Sequence, residues 1–108
     1  MALIKLTSFQ ELDQLLQEKN SLILLKNSIT CPISHEALQE YNKFATEQEE
    51  SVYYLNVQEE RAFSNEVAEK FAIKHESPQV LLFKNKNVIW HTSHWNITYK
   101  NLKENTNT

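Results

Sequence analysis

The chain has 108 residues, enough for one hydrophobic core and too few for two, with 41% hydrophobic and 23% charged residues and a formal net charge of −3. Acidic and basic residues are interleaved without a Lys/Arg block, which leaves no footprint for nucleic acid, and no apolar run reaches the roughly 20 residues that span a membrane. Glycine is absent altogether, which excludes the Gly-rich loops whose backbones approach phosphates closely.

The hydrophobic pattern alternates between a helical period and short buried runs. After a weak first strand, Ser8-Phe-Gln-Glu11 has the form of a capping box, and Phe9, Leu12, Leu15 and Leu16 share one face of a helix ending near Asn20. Leu22-Ile-Leu-Leu25 is a continuous apolar run, as in a strand covered on both faces, and Asn27-Ser-Ile-Thr30 closes it with turn-forming residues. A second helix starts beside Cys31, with Pro32 in its first turn and Ile33, Ala37, Tyr41, Phe44 and Ala45 as its buried stripe.

Val52-Tyr-Tyr-Leu55 reads as the next buried strand, and a helix from about Glu59 to Phe71 follows until His75-Glu-Ser-Pro78 breaks the pattern. Val80-Leu-Leu-Phe83 and Val88-Ile-Trp90 form a hairpin across Lys84-Asn-Lys-Asn87, where asparagine supplies the positive backbone angle that glycine usually would. A last helix is expected from about Asn96 to Lys103, with Asn105-Thr-Asn-Thr108 frayed. The order predicts one α/β domain over residues 1–104, with a mixed central sheet of four to five strands and helices on both faces.

Cys31 is the only cysteine, so it forms no internal disulfide, and with an N-terminus that turns polar too early for a signal peptide it predicts a reducing, cytoplasmic location. Its place, directly after a buried strand and at the start of a helix, is where a thiolate is stabilised by the helix dipole and unpaired backbone N–H groups. A buried structural cysteine is the bland alternative, and the position argues against it. His91, His94 and Cys31 do not make the count or spacing of a structural zinc site, and no metal is expected. His35 is read as a solvated side chain, and Trp90, Trp95, Tyr53 and Tyr54 as core and groove packing.

Thr30-Cys31-Pro32-Ile33-Ser34 resembles the motif of the monothiol bacilliredoxins, within the thioredoxin superfamily. The resemblance covers nearly the whole chain, including the Ser77-Pro78 pair before the hairpin and the Ser93-His94-Trp95-Asn96-Ile97-Thr98 stretch near the end. It implies a thioredoxin-like fold, a cis Pro78 facing Cys31, and bacillithiol as the external thiol and mixed-disulfide partner. It further implies S-bacillithiolated proteins as clients. A monomer is expected.

Under this resemblance Cys31 is the catalytic thiol, and Thr30, Pro32, Ser34, Ser77, Pro78, Ser93 and His94 are the candidate substrate-binding residues. The carboxylates of bacillithiol are expected near the start of the last helix, around Ser93 and His94, where free N–H groups favour an anion. Ser34 forms no disulfide, so an external thiol must resolve any adduct of Cys31. Two departures from typical thioredoxins stand out: Thr30 replaces an aromatic residue before the cysteine, and Ser93-His94 replaces a glycine after the last strand. Two other readings stay open, a thioredoxin-fold peptide-binding module without redox turnover and a glutathione-linked monothiol glutaredoxin. The missing glycines count against the second.

Overall fold

The computed structural model describes residues 2–106. The elements run β1 (Leu3–Lys5), α1 (Phe9–Glu18), β2 (Ser21–Asn27), α2 (Pro32–Ala45), β3 (Val52–Asn56), α3 (Arg61–Phe71), β4 (Gln79–Lys84), β5 (Asn87–Ser93), a three-residue 3-10 turn (His94–Asn96) and α4 (Tyr99–Thr106). The strands form one sheet in the order β1-β3-β2-β4-β5, with β1, β3 and β2 parallel and β4 and β5 antiparallel. This is the expected mixed sheet, and β2 lies at its centre.

Successive side chains of a strand point to opposite faces, and the central strands use both. Leu22 and Leu24 of β2, with Tyr53, Leu55, Leu81 and Phe83, pack against Leu12 and Leu16 of α1 and Phe63 and Val67 of α3. Ile23 and Leu25, with Val52, Val80 and Leu82, pack against Ala37, Tyr41, Phe44 and Ala45 of α2 and Leu102 of α4. Helices therefore cover both faces. Ser8 caps α1 by accepting from the Glu11 amide at 3.2 Å, and the Glu11 carboxylate accepts from the Thr7 amide at 2.7 Å. The reciprocal bond thus falls one residue before the capping-box position.

Without glycine, left-handed backbone falls on other residues: Ala72, Asn85, Lys86 and His94 all have positive φ. Asn85 and Lys86 are the two central residues of the β4–β5 turn, so the lysine shares the role expected of asparagine. Ala72 ends α3. His94 takes the left-handed angle where typical thioredoxins have glycine, so the departure at this position changes the residue and keeps a conformation glycine favours.

The end of the chain departs from expectation. The single helix expected over 96–103 is split, because residues 94–96 make only a 3-10 turn and α4 starts at Tyr99. The Thr98 hydroxyl accepts from the Asn101 amide at 3.1 Å, and a cap at that place fixes the later start. Helix α4 also continues through Asn105 and Thr106, whose side chains donate to the carbonyls of Asn101 and Leu102 at 2.8 and 2.7 Å. Residues 105–106 are therefore helical, and Asn107 and Thr108 of the tail expected over 105–108 lie outside the described residues.

Tyr41 fastens α2 to the sheet. It is fully buried, and its hydroxyl lies 3.1 Å from the Ile23 carbonyl and 2.7 Å from that of Tyr53, one proton serving both. Tyr41→Phe should lower unfolding stability by about 1–2 kcal/mol, because it strips two strand carbonyls of their shared donor. Urea denaturation monitors this, and an unchanged midpoint would show that the bond contributes nothing.

Candidate active site

Cys31 is the N-cap of α2, with Pro32 at the first helical position, and it is partly exposed. A helix leaves its first N–H groups without intrahelical partners, and an N-cap side chain normally answers the second or third of them. Here that side chain carries sulfur. The Cys31 side chain makes no cap hydrogen bond. The charged sulfur is stabilised first by the Ser34 backbone N–H, then by that of Ile33 and by the Ser34 hydroxyl. Together they outweigh the opposing effect of burial and hold the Cys31 pKa below that of an ordinary thiol.

The loop delivering Cys31 is braced on both sides. Ser34, fully buried, accepts from the Ser28 amide at 3.3 Å, so the position of a second thiol in a dithiol motif is here part of the scaffold. Gln58, in the connection after β3, accepts from the Ile29 amide at 3.1 Å and donates to the hydroxyls of Ser28 and Thr30 at 2.7 and 3.2 Å. Nothing in the sequence marked Gln58, since its three partners come from a loop 28 to 30 residues away.

The remaining predicted site residues come from two other segments at the same end of the sheet. Gln79 pairs with Lys26 on one side and with Ser93 on the other, which places residues 77–78 and 93–94 beside the strand end that leads to Cys31. The Ser77–Pro78 bond is cis, Pro78 is buried, and its carbonyl accepts from the His94 amide at 3.0 Å. Ile33, Glu36, Ala37, Glu40, His94 and Trp95 line a groove of about 350 Å³ between α2 and the 3-10 turn. Trp95 is 64% exposed, so it walls this groove and does not join the core.

The expectation of an anion at a helix start around Ser93 and His94 loses its physical basis. A three-residue turn carries no macrodipole of consequence, and the true start of α4 is filled by the chain itself, with Glu40 accepting from the Tyr99 amide at 2.8 Å. Ser93 donates to the Glu76 carboxylate at 3.1 Å, and His94 lies 3.8 Å from the same group. The Glu76 carboxylate thus lies beside both residues. His35 is exposed beside Gln39, and among the described residues no cluster of three or more His, Cys, Asp or Glu side chains is placed to hold a metal ion.

Lys26 is the residue that sequence reading missed altogether. It is the last lysine-sized side chain expected in a core, yet it is fully buried on the α1 and α3 side of β2. Its ammonium donates to the Ser64 carbonyl at 3.0 Å and lies 3.2 Å from His75 Nδ1. Burial pushes its pKa down to about 8.

A family model described as monothiol bacilliredoxin BrxC matches residues 4–102. Among solved structures, a thioredoxin-fold protein taken to be an oxidoreductase is 40% identical, superposes with a TM-score of 0.91, and is matched over 95% of this chain and 92% of that one. The oxidised thioredoxin of Plasmodium falciparum is 20% identical with a TM-score of 0.76, over 99% and 100% of the two chains. A mutant thioredoxin of Halobacterium salinarum is 14% identical with a TM-score of 0.77, over 95% and 86%. These last two share the fold.

The alkylation rate of Cys31 against pH should have its midpoint below that of a free cysteine, about 8.5. Ser34→Ala should move the midpoint up while leaving it below the free value, because the larger contribution is the Ser34 backbone N–H, which the variant keeps. A midpoint that ignores the substitution would remove the hydroxyl from the account.

Proposed function

The chain belongs to the monothiol bacilliredoxin family, and on that premise we propose that it removes bacillithiol from S-bacillithiolated proteins. The observation that carries the reading is one thiol, at a helix cap that favours its charged form, with a buried hydroxyl where a dithiol enzyme has its second sulfur. The Cys31 thiolate attacks the bacillithiol sulfur of the mixed disulfide. The client sulfur leaves as a thiolate and takes up a proton, and Cys31 remains in a disulfide with bacillithiol. A second bacillithiol then attacks that adduct, which returns the Cys31 thiol and releases bacillithiol disulfide.

Thr30 and Pro32 flank the reacting sulfur in this reading, and the Ser77–Pro78 segment offers backbone to an extended client strand. Ser93 and His94 form the rim. Because the Glu76 carboxylate lies beside both, these two residues shape the rim without selecting the small thiol by its charge. A peptide-binding module has no use for a stabilised thiolate, and the low thiol pKa therefore favours turnover over passive binding.

Release of bacillithiol from a client mixed disulfide should be abolished in Cys31→Ala with the helix content unchanged. His94→Ala should slow transfer from a bacillithiol mixed disulfide and from a plain cysteine mixed disulfide by the same few-fold factor. A loss confined to the bacillithiol substrate would restore His94 as a recognition residue, and activity in Cys31→Ala would overturn the reading.

A further inference from the structure

A lysine with no counter-ion in a protein core is costly, since burial disfavours its charge and the usual outcome is a carboxylate partner or none of the charge. Lys26 makes no ion pair among the described residues. Its ammonium instead spans three elements. It originates on β2, five residues before Cys31; it donates to Ser64 in α3; and it meets His75 in the segment that ends at Ser77 and Pro78.

We propose that Lys26 and His75 are positioning residues that hold the client-contacting segment 75–78 against the strand that delivers Cys31. The proposal rests on the reading above, in which that segment receives the client.

The protonation states are complementary. With its pKa near 8, Lys26 is mostly an ammonium at neutral pH and can only donate. His75 is held below the ordinary histidine range by burial, then by Lys26 and Arg61, against the opposing pull of Glu76, so its ring is neutral and Nδ1 accepts. That assignment leaves the ring proton on Nε2. A hydrogen bond from a charged donor is the strong kind, and this one acts where water competes little.

The other anchors of the segment act from α3, where the Ser64 hydroxyl lies 3.3 Å from the same His75 Nδ1, and from β4 and β5. Gln79, also fully buried, donates to the Lys74 carbonyl at 3.0 Å and accepts from the Glu76 amide at 3.5 Å, and Ser93 holds the Glu76 carboxylate. Among the described residues, Lys26 supplies the side-chain bond from β2 to the segment, beside the ladder pairing of Gln79 with the same strand. The sulfur owes its stabilisation to Ser34 and Ile33. Loss of the tie should therefore misplace the client and leave the nucleophile unchanged.

The test compares Lys26→Met, His75→Leu and His75→Gln in the full chain, the last keeping an acceptor for the ammonium. Three quantities are read: transfer from a bacillithiolated protein, alkylation of Cys31 by iodoacetamide against pH, and hydrogen exchange at the Glu76 and Gln79 amides. Transfer should fall roughly tenfold in Lys26→Met and His75→Leu, as a small misplacement of a reacting group can cause, and stay within about twofold in His75→Gln. The alkylation profile should match wild type in all three. Exchange should quicken only in the two variants that lose the bond.

Unchanged transfer and exchange in His75→Leu would overturn the proposal, whatever the folding of Lys26→Met. Alkylation falling in step with transfer would also overturn it, since the pair would then act on the sulfur or on the whole fold. Faster exchange in a protein whose wild type transfers nothing would refute the proposed function and leave the tie standing.

Discussion

A helix leaves the N–H groups of its first turn without intrahelical partners, and at the start of α2 those of Ile33 and Ser34 favour the charged form of the Cys31 sulfur, which makes no cap hydrogen bond of its own. That constraint favours the thiolate over the thiol. The rest of the fold serves the same turn from several directions. Tyr41 bonds α2 to the carbonyls of β2 and β3, Ser34 bonds the helix to the loop before it, and Gln58 bonds that loop to the connection after β3. The sulfur is thus held by a rigid scaffold, as a reacting group must be if it is to meet a disulfide in line.

Ser34 shows how one substitution in the motif divides the chemistry. In a dithiol motif the second sulfur attacks the adduct and releases it; a hydroxyl cannot do so. What the hydroxyl does instead is structural and electrostatic, accepting from Ser28 and stabilising the charged Cys31. The cost is dependence on an external thiol for every turnover. The chain gains a nucleophile that cannot lose itself to an internal disulfide.

The element order, the sheet and the place of Cys31 were legible because local rules carry them: a continuous apolar run for β2, a proline tolerated only in a first helical turn, and a Ser-Pro pair ahead of a hairpin. The features that were not legible depend on residues far apart in the chain. Lys26 reads as the polar end of a strand, and only the meeting of β2 with α3 and the 72–78 segment makes it buried. Glu40 reads as a solvated helix residue, yet it fills the start of α4. Glu76 is the counterpart that places a carboxylate beside Ser93 and His94, and no pattern in the sequence connects the three.

The central claim is that one sulfur takes up the small thiol and cannot release it unaided. Intact-mass spectrometry after a single turnover with an equimolar bacillithiolated protein, without free bacillithiol, tests it most directly. The account predicts one-for-one movement of the bacillithiol mass from the client to Cys31, where it stays until free bacillithiol is added. A client left fully modified, or a Cys31 that returns to its unmodified mass with no added thiol, would contradict it.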